Sequence, residues 1–220
     1  MKISCIIPAY NEEKNIKNII NDIYDTNFFD EIIVINDGSE DKTAEIIEQE
    51  ISAGKNIIFI NLSQNIGKGG AVWHGLQKTT GEIIVTLDAD LIGIKRDHLE
   101  KLARPLLQGE SEICIGIIKH QNKKWISFIQ RRGSDLSGQQ AFFKHLVEDA
   151  DIKNSGFGLE IILKKHFQEK NARTKKIFLE EVTHLLKEEK LGIKSGFLTR
   201  LKMYKEMLAA IIMVVIGKLK

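Results

Sequence analysis

The sequence predicts an α/β fold in which a mostly parallel β-sheet is flanked by helices. Short β-branched apolar runs recur through the first half of the chain, as expected for strands buried on both faces. Segments with helical periodicity separate these runs, and this alternation is typical of a doubly wound parallel sheet. The length of 220 residues suits one large domain with at most a small appendage.

The individual elements follow from the same patterns. Apolar runs predict strands over residues 3–7, 32–35, 57–60, 83–87 and 112–116. Helical periodicity predicts helices over residues 12–24, 42–51, 68–78 and 97–107. Asn11 and Ser39–Asp41 resemble helix N-caps, and Gly81 follows the third helix as a stop signal. After Gly116 the alternation weakens, and the patterns there predict helices over 137–147 and 157–170 and a short strand over 177–179.

Composition narrows the class of protein. The hydrophobic fraction of 43% and charged fraction of 28% are those of a folded protein, and a net charge of +2 is too small to indicate a nucleic-acid partner. Cys5 and Cys114 lie in apolar runs without metal-site spacing, so buried reduced thiols are expected. The N-terminal segment MKISCIIPAYNEE does not resemble a signal peptide, which predicts a cytoplasmic location.

The C-terminal residues 194–220 form a separate basic and apolar segment. Six basic residues and one acidic residue give it a charge of +5. Its uncharged run 207–217 has 11 residues, about half of the ~20 needed to span a bilayer. We therefore expect a domain over 1–193 and a C-terminal helix over 194–220. That helix would dock on the domain, pair with a second copy in a homodimer, or lie at the inner face of the membrane.

Two aspartates stand at the end of the fourth predicted strand. Asp88 and Asp90 are two positions apart, so strand alternation points both side chains the same way. Hard cations such as Mg²⁺ and Mn²⁺ prefer oxygen ligands and keep positions open for phosphate oxygens. A solvated turn also explains an isolated Asp-x-Asp, but the position after a buried strand favours a metal site.

Two further loops end strands on the same predicted edge. In the segment NIGKGG (65–70), glycines would let the backbone approach a phosphate, and Lys68 would add a positive charge at a helix N-terminus. The segment fits neither the dinucleotide fingerprint nor a Walker A loop, and a flexible turn into a helix explains it equally well. In NDGS (36–39), Asp37 could accept a hydrogen bond from a nucleotide base or belong to an ordinary turn.

Taken together, these segments resemble the family 2 glycosyltransferases of the GT-A fold. The resemblance rests on IPAYNEE, INDGSEDKT, QNIGKGGAVWHGL and TLDADL, in order over about the first 120 residues. It implies that the first two loops hold the base and ribose of a nucleotide sugar and that the Asp-x-Asp pair holds Mg²⁺ or Mn²⁺ on the diphosphate. The implied nucleotide-sugar residues are Pro8, Ala9, Tyr10, Glu12, Asp37, Gly38, Lys68, Gly69 and Asp88.

The second half of the chain resembles the family less tightly. SDLSGQQAF (134–142) is similar to an acceptor loop, although Gln140 stands where arginine is common. GFGLE (156–160) is similar to a family segment whose glutamate faces the ligand-binding cleft, and this implies that Glu160 faces such a cleft here. EVTHLLKEEK (181–190) is similar to a segment of glucosyl-3-phosphoglycerate synthase-like relatives whose histidine completes the metal site. The resemblance therefore implies Asp90, His184 and Asp88 as metal ligands.

The resemblance implies transfer of a hexosyl group from a UDP- or GDP-sugar to a phosphate- or hydroxyl-bearing acceptor. A polyprenyl phosphate and a phosphoglycerate-like molecule are the acceptors to expect. A phosphate acceptor is already ionised, whereas a hydroxyl acceptor would require a carboxylate base such as Asp135 or Glu160. The residues do not decide between these acceptors, or between inversion and retention.

Two other classes of protein fit part of the pattern. A nucleotidyltransferase should carry a glycine- and arginine-rich loop after its first strand, and PAYNEE lacks it. A non-catalytic nucleotide-sugar-binding protein would keep the fold without turnover, and Gln140 in the acceptor loop leaves that interpretation open.

Overall fold

The architecture is given by a computed structural model that describes residues 1–118 and 136–184. The strands are β1 (Ile3–Ala9), β2 (Glu31–Asp37), β3 (Ile58–Leu62), β4 (Ile83–Thr86), β5 (Leu91–Ile92), β6 (Ile113–Ile118), β7 (Gln140–Phe143), β8 (Thr174–Leu179) and β9 (Thr183–His184). The helices are α1 (Ile16–Tyr24), α2 (Thr43–Ser52), α3 (Lys68–Lys78), α4 (Arg96–Leu107) and α5 (Leu159–Glu169). The predicted C-terminal helix over 194–220 and the domain boundary at 193 lie outside the described residues.

Seven of these strands form one sheet in the order β3-β2-β1-β4-β7-β6-β8. β1 pairs in parallel with β2 and β4, β2 with β3, and β6 with β8. β7 runs antiparallel to both of its neighbours, β4 and β6. The prediction of a mostly parallel, helix-flanked α/β sheet is confirmed. A separate antiparallel pair, β5 with β9, places Leu91 opposite His184.

Helices cover both faces of the sheet. On one face, Ile7 of β1 belongs to the same core as Ile19 of α1 and Leu102 of α4. On the other face, Ile6 packs in a core with Val72 of α3 and with residues of α5. Burial of one such side chain stabilises the fold by about 1.5–3 kcal/mol. Because successive side chains of a strand point into the cores on opposite faces of the sheet, the sequences of β1 and its neighbouring strands are continuous apolar runs.

Both cysteines lie in these layers as predicted. Cys5 and Cys114 are free thiols with no solvent exposure. Burial raises the pKa of the Cys114 thiol to about 12, although the Lys175 charge acts to lower it. Both thiols are therefore expected to pack as small apolar side chains.

The prediction of a helix over residues 137–147 was wrong. Residues 140–143 form β7, and residues 144–146 form a single 3₁₀ turn. Ala141 pairs with Val85 of β4 on one side and with Cys114 of β6 on the other. These long-range pairings, which the local pattern does not contain, determine the strand.

The start of the first helix also differs from the prediction. α1 begins at Ile16 with Asn15 in the N-cap position, four residues after the predicted start. Asn11 adopts a left-handed backbone with φ 54°, so it lies in the preceding loop and caps no helix. At the second helix the N-cap residue is Lys42, so the predicted N-cap within Ser39–Asp41 lies one residue or more too early. Asp41 Oδ1 accepts a hydrogen bond from the Thr43 N–H at 3.0 Å just before that helix.

Candidate active site at the carboxyl edge of the sheet

The loops that follow β1 and β2 are hydrogen-bonded to each other. The Asn11 N–H donates to Ser39 Oγ at 2.9 Å, and the Glu40 N–H donates to Asn11 Oδ1 at 2.9 Å. The Glu12 N–H donates to Thr43 Oγ1 at 2.8 Å. Because Asn11 has a left-handed backbone conformation, its side chain and its backbone N–H both form hydrogen bonds with the loop that follows β2. The two loops predicted to hold a nucleotide therefore form one connected edge.

The predicted nucleotide residues of the first loop differ in accessibility. Tyr10 is 40% exposed, so its ring is available to a ligand. Pro8 and Ala9 lie in β1, opposite Ile35 and Asn36 of β2, and the Ala9 side chain is buried. A ligand contact at Ala9 would have to involve its backbone. The Glu12 carboxylate accepts a hydrogen bond from Asn15 Nδ2 at 2.7 Å.

Asp37 binds the third loop. Its Oδ1 accepts the Ile66 N–H at 2.8 Å and its Oδ2 accepts the Gly67 N–H at 2.9 Å. Burial raises the pKa of this carboxyl group, and the two backbone N–H groups and His74 only partly offset that effect. The sequence interpretation missed this role of holding the 65–70 loop. Contact with a nucleotide base stays a prediction for Asp37.

The glycines of these loops allow close packing between loops. Gly38, with φ +67°, leaves no room for a side chain, because a Cβ would lie 2.3 Å from the Gln64 carbonyl carbon. A Cβ on Gly67 would lie 2.7 Å from Gly156 Cα, and one on Gly69 would lie 1.8 Å from Ser155 Oγ. The sequence pattern fits two uses of the glycines in the 65–70 loop, close approach to a phosphate or a flexible turn into a helix. In the structure, the space beside Gly67 and Gly69 is filled by residues of the chain's second half.

Lys68 lies between two carboxylates. Its Nζ is 2.6 Å from Asp88 Oδ1 at the end of β4 and 2.5 Å from Glu160 Oε1 in the first turn of α5. The three side chains are only 17–24% exposed. Burial acts to lower the pKa of Lys68, but Asp88 and Glu160 outweigh it and raise that pKa, so the amine stays protonated. This bridge joins α3, β4 and α5, and its three charges sum to −1.

Asp88, Asp90 and His184 form a candidate metal centre. One potential ligand atom from each residue lies within 4.8 Å of the others. His184 Nδ1 is 3.0 Å from Asp90 Oδ1, and the pairing of β9 with β5 brings the histidine to the strand end. Burial acts to lower the pKa of His184, but the bond to Asp90 and the charges of both aspartates raise it overall. Two carboxylates and one imidazole suit Mn²⁺ or Mg²⁺ and leave coordination positions for other oxygens.

The structure thus brings together the three predicted metal ligands and the two predicted residues Lys68 and Glu160. Asp135, the other predicted catalytic residue, lies outside the described residues. Gln140, the departure noted in the acceptor loop, is buried and donates from Nε2 to the Ser137 carbonyl at 2.5 Å. Its neighbour Gln139, which the sequence interpretation did not single out, donates from Nε2 to Asp88 Oδ2 at 2.7 Å.

No helix within residues 1–118 and 136–184 has the length and apolar character needed to cross a bilayer.

Comparison with known proteins identifies one family, the glycosyltransferases of family 2. Residues 4–180 match the model of Glycosyl transferase family 2. A dolichyl-phosphate beta-glucosyltransferase of Trichomonas vaginalis is 32% identical over 133 residues, which are 56% of this chain and 41% of that protein. A UDP-N-acetylglucosamine–dolichyl-phosphate N-acetylglucosaminyltransferase of Methanococcus voltae is 38% identical over 129 residues, covering 52% and 51% of the two chains. The chain thus spans about half or less of the length of these two relatives.

Solved structures give the same fold. Glucosyl-3-phosphoglycerate synthase from Mycobacterium tuberculosis, in complex with Mn²⁺, UDP-glucose and glycerol 3-phosphate, superposes with a TM-score of 0.74 at 25% identity. The match covers 97% of this chain and 79% of the synthase. The same enzyme has also been crystallised with Mg²⁺ and UDP, with a TM-score of 0.68 and 25% identity. These comparisons confirm the resemblance inferred from the sequence.

The packing around Gly69 predicts that a glycine-to-alanine substitution there destabilises the protein, which is the opposite of the usual effect within a helix. Within a helix, Gly→Ala ordinarily stabilises a protein by about 0.5–1 kcal/mol. Gly69→Ala should instead lower the free energy of unfolding, because the new Cβ would meet Ser155 Oγ and, at 2.4 Å, the Ile152 carbonyl oxygen. Urea unfolding measures the sign directly. A stabilised Gly69→Ala variant would show that the 65–70 and 152–156 segments do not pack this closely.

The Lys68 bridge predicts strong coupling between Lys68 and Glu160. Lys68→Met should destabilise the fold by about 2–4 kcal/mol, because it leaves two partly buried carboxylates without their cation. Adding Glu160→Gln removes one of those charges and should recover part of the loss, so the two effects should not add. Urea unfolding of both single variants and the double variant, without divalent cations, measures the coupling. Additive effects would contradict the bridge.

Proposed function

Because this chain belongs to glycosyl transferase family 2, we propose that it is a metal-dependent glycosyltransferase acting on a nucleotide-diphosphate sugar. The observation that carries the proposal is the cluster of Asp88, Asp90 and His184 beside Lys68, at the edge of the sheet where ligands bind in such folds. The donor would be a UDP- or GDP-linked hexose. A metal-bound UDP-sugar donor is supported by the synthase crystallised with Mn²⁺ and UDP-glucose.

Each part of the site has a role in this proposal. Asp90 and His184, with Asp88, would hold Mg²⁺ or Mn²⁺, which when bound neutralises charge on a diphosphate leaving group. Lys68 would contribute a further positive charge on the same side. Tyr10, the exposed residue of the first loop, would contact the nucleotide. The remaining proposed nucleotide-sugar residues are Pro8, Ala9, Glu12, Asp37, Gly38 and Gly69.

The described contacts favour a phosphate-bearing acceptor. Glu160 Oε1 is bound to Lys68 Nζ at 2.5 Å, so base catalysis by Glu160 would have to use its other carboxylate oxygen or break that contact. An ionised phosphate oxygen needs no base, and catalysis would then depend on positioning and electrostatics. The relatives named for dolichyl phosphate support an ionised phosphate as the attacking group. The synthase crystallised with UDP-glucose and phosphoglyceric acid supports a phosphate-bearing acceptor without deciding the attacking group, because phosphoglyceric acid also carries a free hydroxyl. Asp135 stays the proposed base for a hydroxyl acceptor.

We also propose a cytoplasmic location with contact at the inner face of the membrane. The dolichyl-phosphate relatives support a lipid acceptor, and the +5 charge of residues 194–220 would favour anionic lipid surfaces. Homodimer formation through the same segment is the alternative use of its apolar run.

Release of nucleoside diphosphate tests the proposed function. With UDP-glucose, Mn²⁺ and either 3-phosphoglycerate or a polyprenyl phosphate, the protein should release UDP. Asp90→Asn, which keeps the shape but removes the ligand charge, should lower that rate by about 100-fold or more, and chelation should abolish it. Asp25→Asn is the matched control, because Asp25 is an exposed aspartate just beyond the end of α1.

The outcomes separate the candidate functions. Equal rates for Asp90→Asn and the unmodified protein would refute the metal site. Tight nucleotide binding with no transfer across nucleotide sugars and acceptors would identify a non-catalytic binding protein. Release of pyrophosphate from a nucleoside triphosphate and a sugar phosphate would identify a nucleotidyltransferase.

A further inference from the structure

Asp88 is held by hydrogen-bond donors on both carboxylate oxygens. Lys68 Nζ lies 2.6 Å from Oδ1, and Gln139 Nε2 lies 2.7 Å from Oδ2. The two donors come from different parts of the chain, since Lys68 begins α3 and Gln139 immediately precedes β7. A carboxylate with a donor on each oxygen is restrained against rotation, whereas one with a single donor can turn toward it.

The carboxamide of Gln139 has only one favourable orientation. Gln139 is 2% exposed, so its polar atoms depend on protein partners. A carboxylate only accepts hydrogen bonds, so the Gln139 N–H₂ group must face Asp88. The other end, Oε1, lies 2.8 Å from the hydroxyl of Ser137, whose single proton also has the Gly116 carbonyl as an acceptor at 2.6 Å. A reversed amide would place its oxygen against the carboxylate.

The backbone on either side of Gln139 brings it close to Asp88. The Gly138 carbonyl accepts a hydrogen bond from Thr86 Oγ1 of β4 at 2.8 Å. A Cβ on Gly138 would lie 2.3 Å from Asp88 Oδ2, so a larger residue there would displace the carboxylate. The Gln139 N–H also donates to Ser137 Oγ at 3.2 Å. The segment 137–139 is thus tied to β4 beside the candidate metal centre.

We propose that Gln139 is a positioning residue that holds the Asp88 carboxylate in the orientation needed for cation binding with Asp90 and His184. The inference rests on the proposed metal site. Without the Gln139 donor, Asp88 keeps its strong contact with Lys68 only, and repulsion from Asp90 favours rotation away from the cluster. Hydrogen-bond partners of metal ligands commonly change metal affinity by 10- to 100-fold. Gln139 would therefore set metal affinity without touching the metal or the substrate.

The adjacent glutamine provides a matched control. Gln140 is 3% exposed and also donates one side-chain hydrogen bond, but to the Ser137 carbonyl rather than to Asp88. Gln139→Met and Gln140→Met both remove a buried carboxamide while keeping a side chain of similar length. Gln139→Asn keeps a buried amide but shortens it by one methylene, which moves the donor out of hydrogen-bond range of Asp88.

Titration with Mn²⁺ alone, followed by the electron paramagnetic resonance signal of the free ion, tests the inference on the full chain without substrate. Gln139→Met and Gln139→Asn should raise the Mn²⁺ dissociation constant by about tenfold. Gln140→Met should change it by less than about twofold, at a comparable loss of unfolding free energy. If all three variants lose Mn²⁺ affinity in proportion to their loss of unfolding free energy, Gln139 has only a structural role and the proposal is overturned.

The titration also separates this inference from the proposed function. If the unmodified protein binds Mn²⁺ and both Gln139 variants bind it equally well, the positioning role is refuted and the proposed function stands. If the unmodified protein itself binds no Mn²⁺, the proposed metal site fails and the positioning role fails with it.

Discussion

The ion bridge from Lys68 to Asp88 and Glu160 is the contact on which the rest of this site depends. It connects the end of β4 to the first turn of α5 and so ties that helix to the edge of the parallel sheet. It also explains why two carboxylates two residues apart are tolerated at a buried strand end. Lys68 and Gln139 each donate a hydrogen bond to Asp88, and His184 Nδ1 lies 3.0 Å from Asp90 Oδ1. The three carboxylates of Asp88, Asp90 and Glu160 outnumber the cationic groups, Lys68 and a protonated His184, and this negative excess favours a divalent cation.

The site is assembled by direct contacts between loops. The first loop is bonded to the second through Asn11, and the second holds the third through the Asp37 carboxylate. The third loop then packs against residues 152–156. At Gly67 and Gly69 of that loop, the distances to 152–156 are too short for any side chain. Each loop therefore depends on its neighbour for its conformation. Such preorganisation lowers the cost of ordering a binding site around a charged ligand.

The sequence predicted the first half of the fold well for a physical reason. Strands β1, β2 and β4 are buried on both faces, so their apolar runs are local and unambiguous. The Asp-x-Asp pair followed from its position after such a strand. The contact of His184 with Asp90 spans 94 residues, and only resemblance to a family indicated it. β7 and Gln139 were missed because pairing and contacts with distant strands determine them, and no local periodicity records those contacts.

In the proposed function, Asp88, Asp90 and His184 form a metal site that receives a nucleotide diphosphate beside Lys68. Anomalous diffraction at the manganese absorption edge, from crystals grown with Mn²⁺ and UDP, tests it most directly. We expect one strong anomalous peak within coordination distance of Asp90 and His184, with the UDP diphosphate in contact with it. A UDP-bound crystal in which manganese is absent from this cluster, or lies elsewhere on the protein, would refute the proposed metal site.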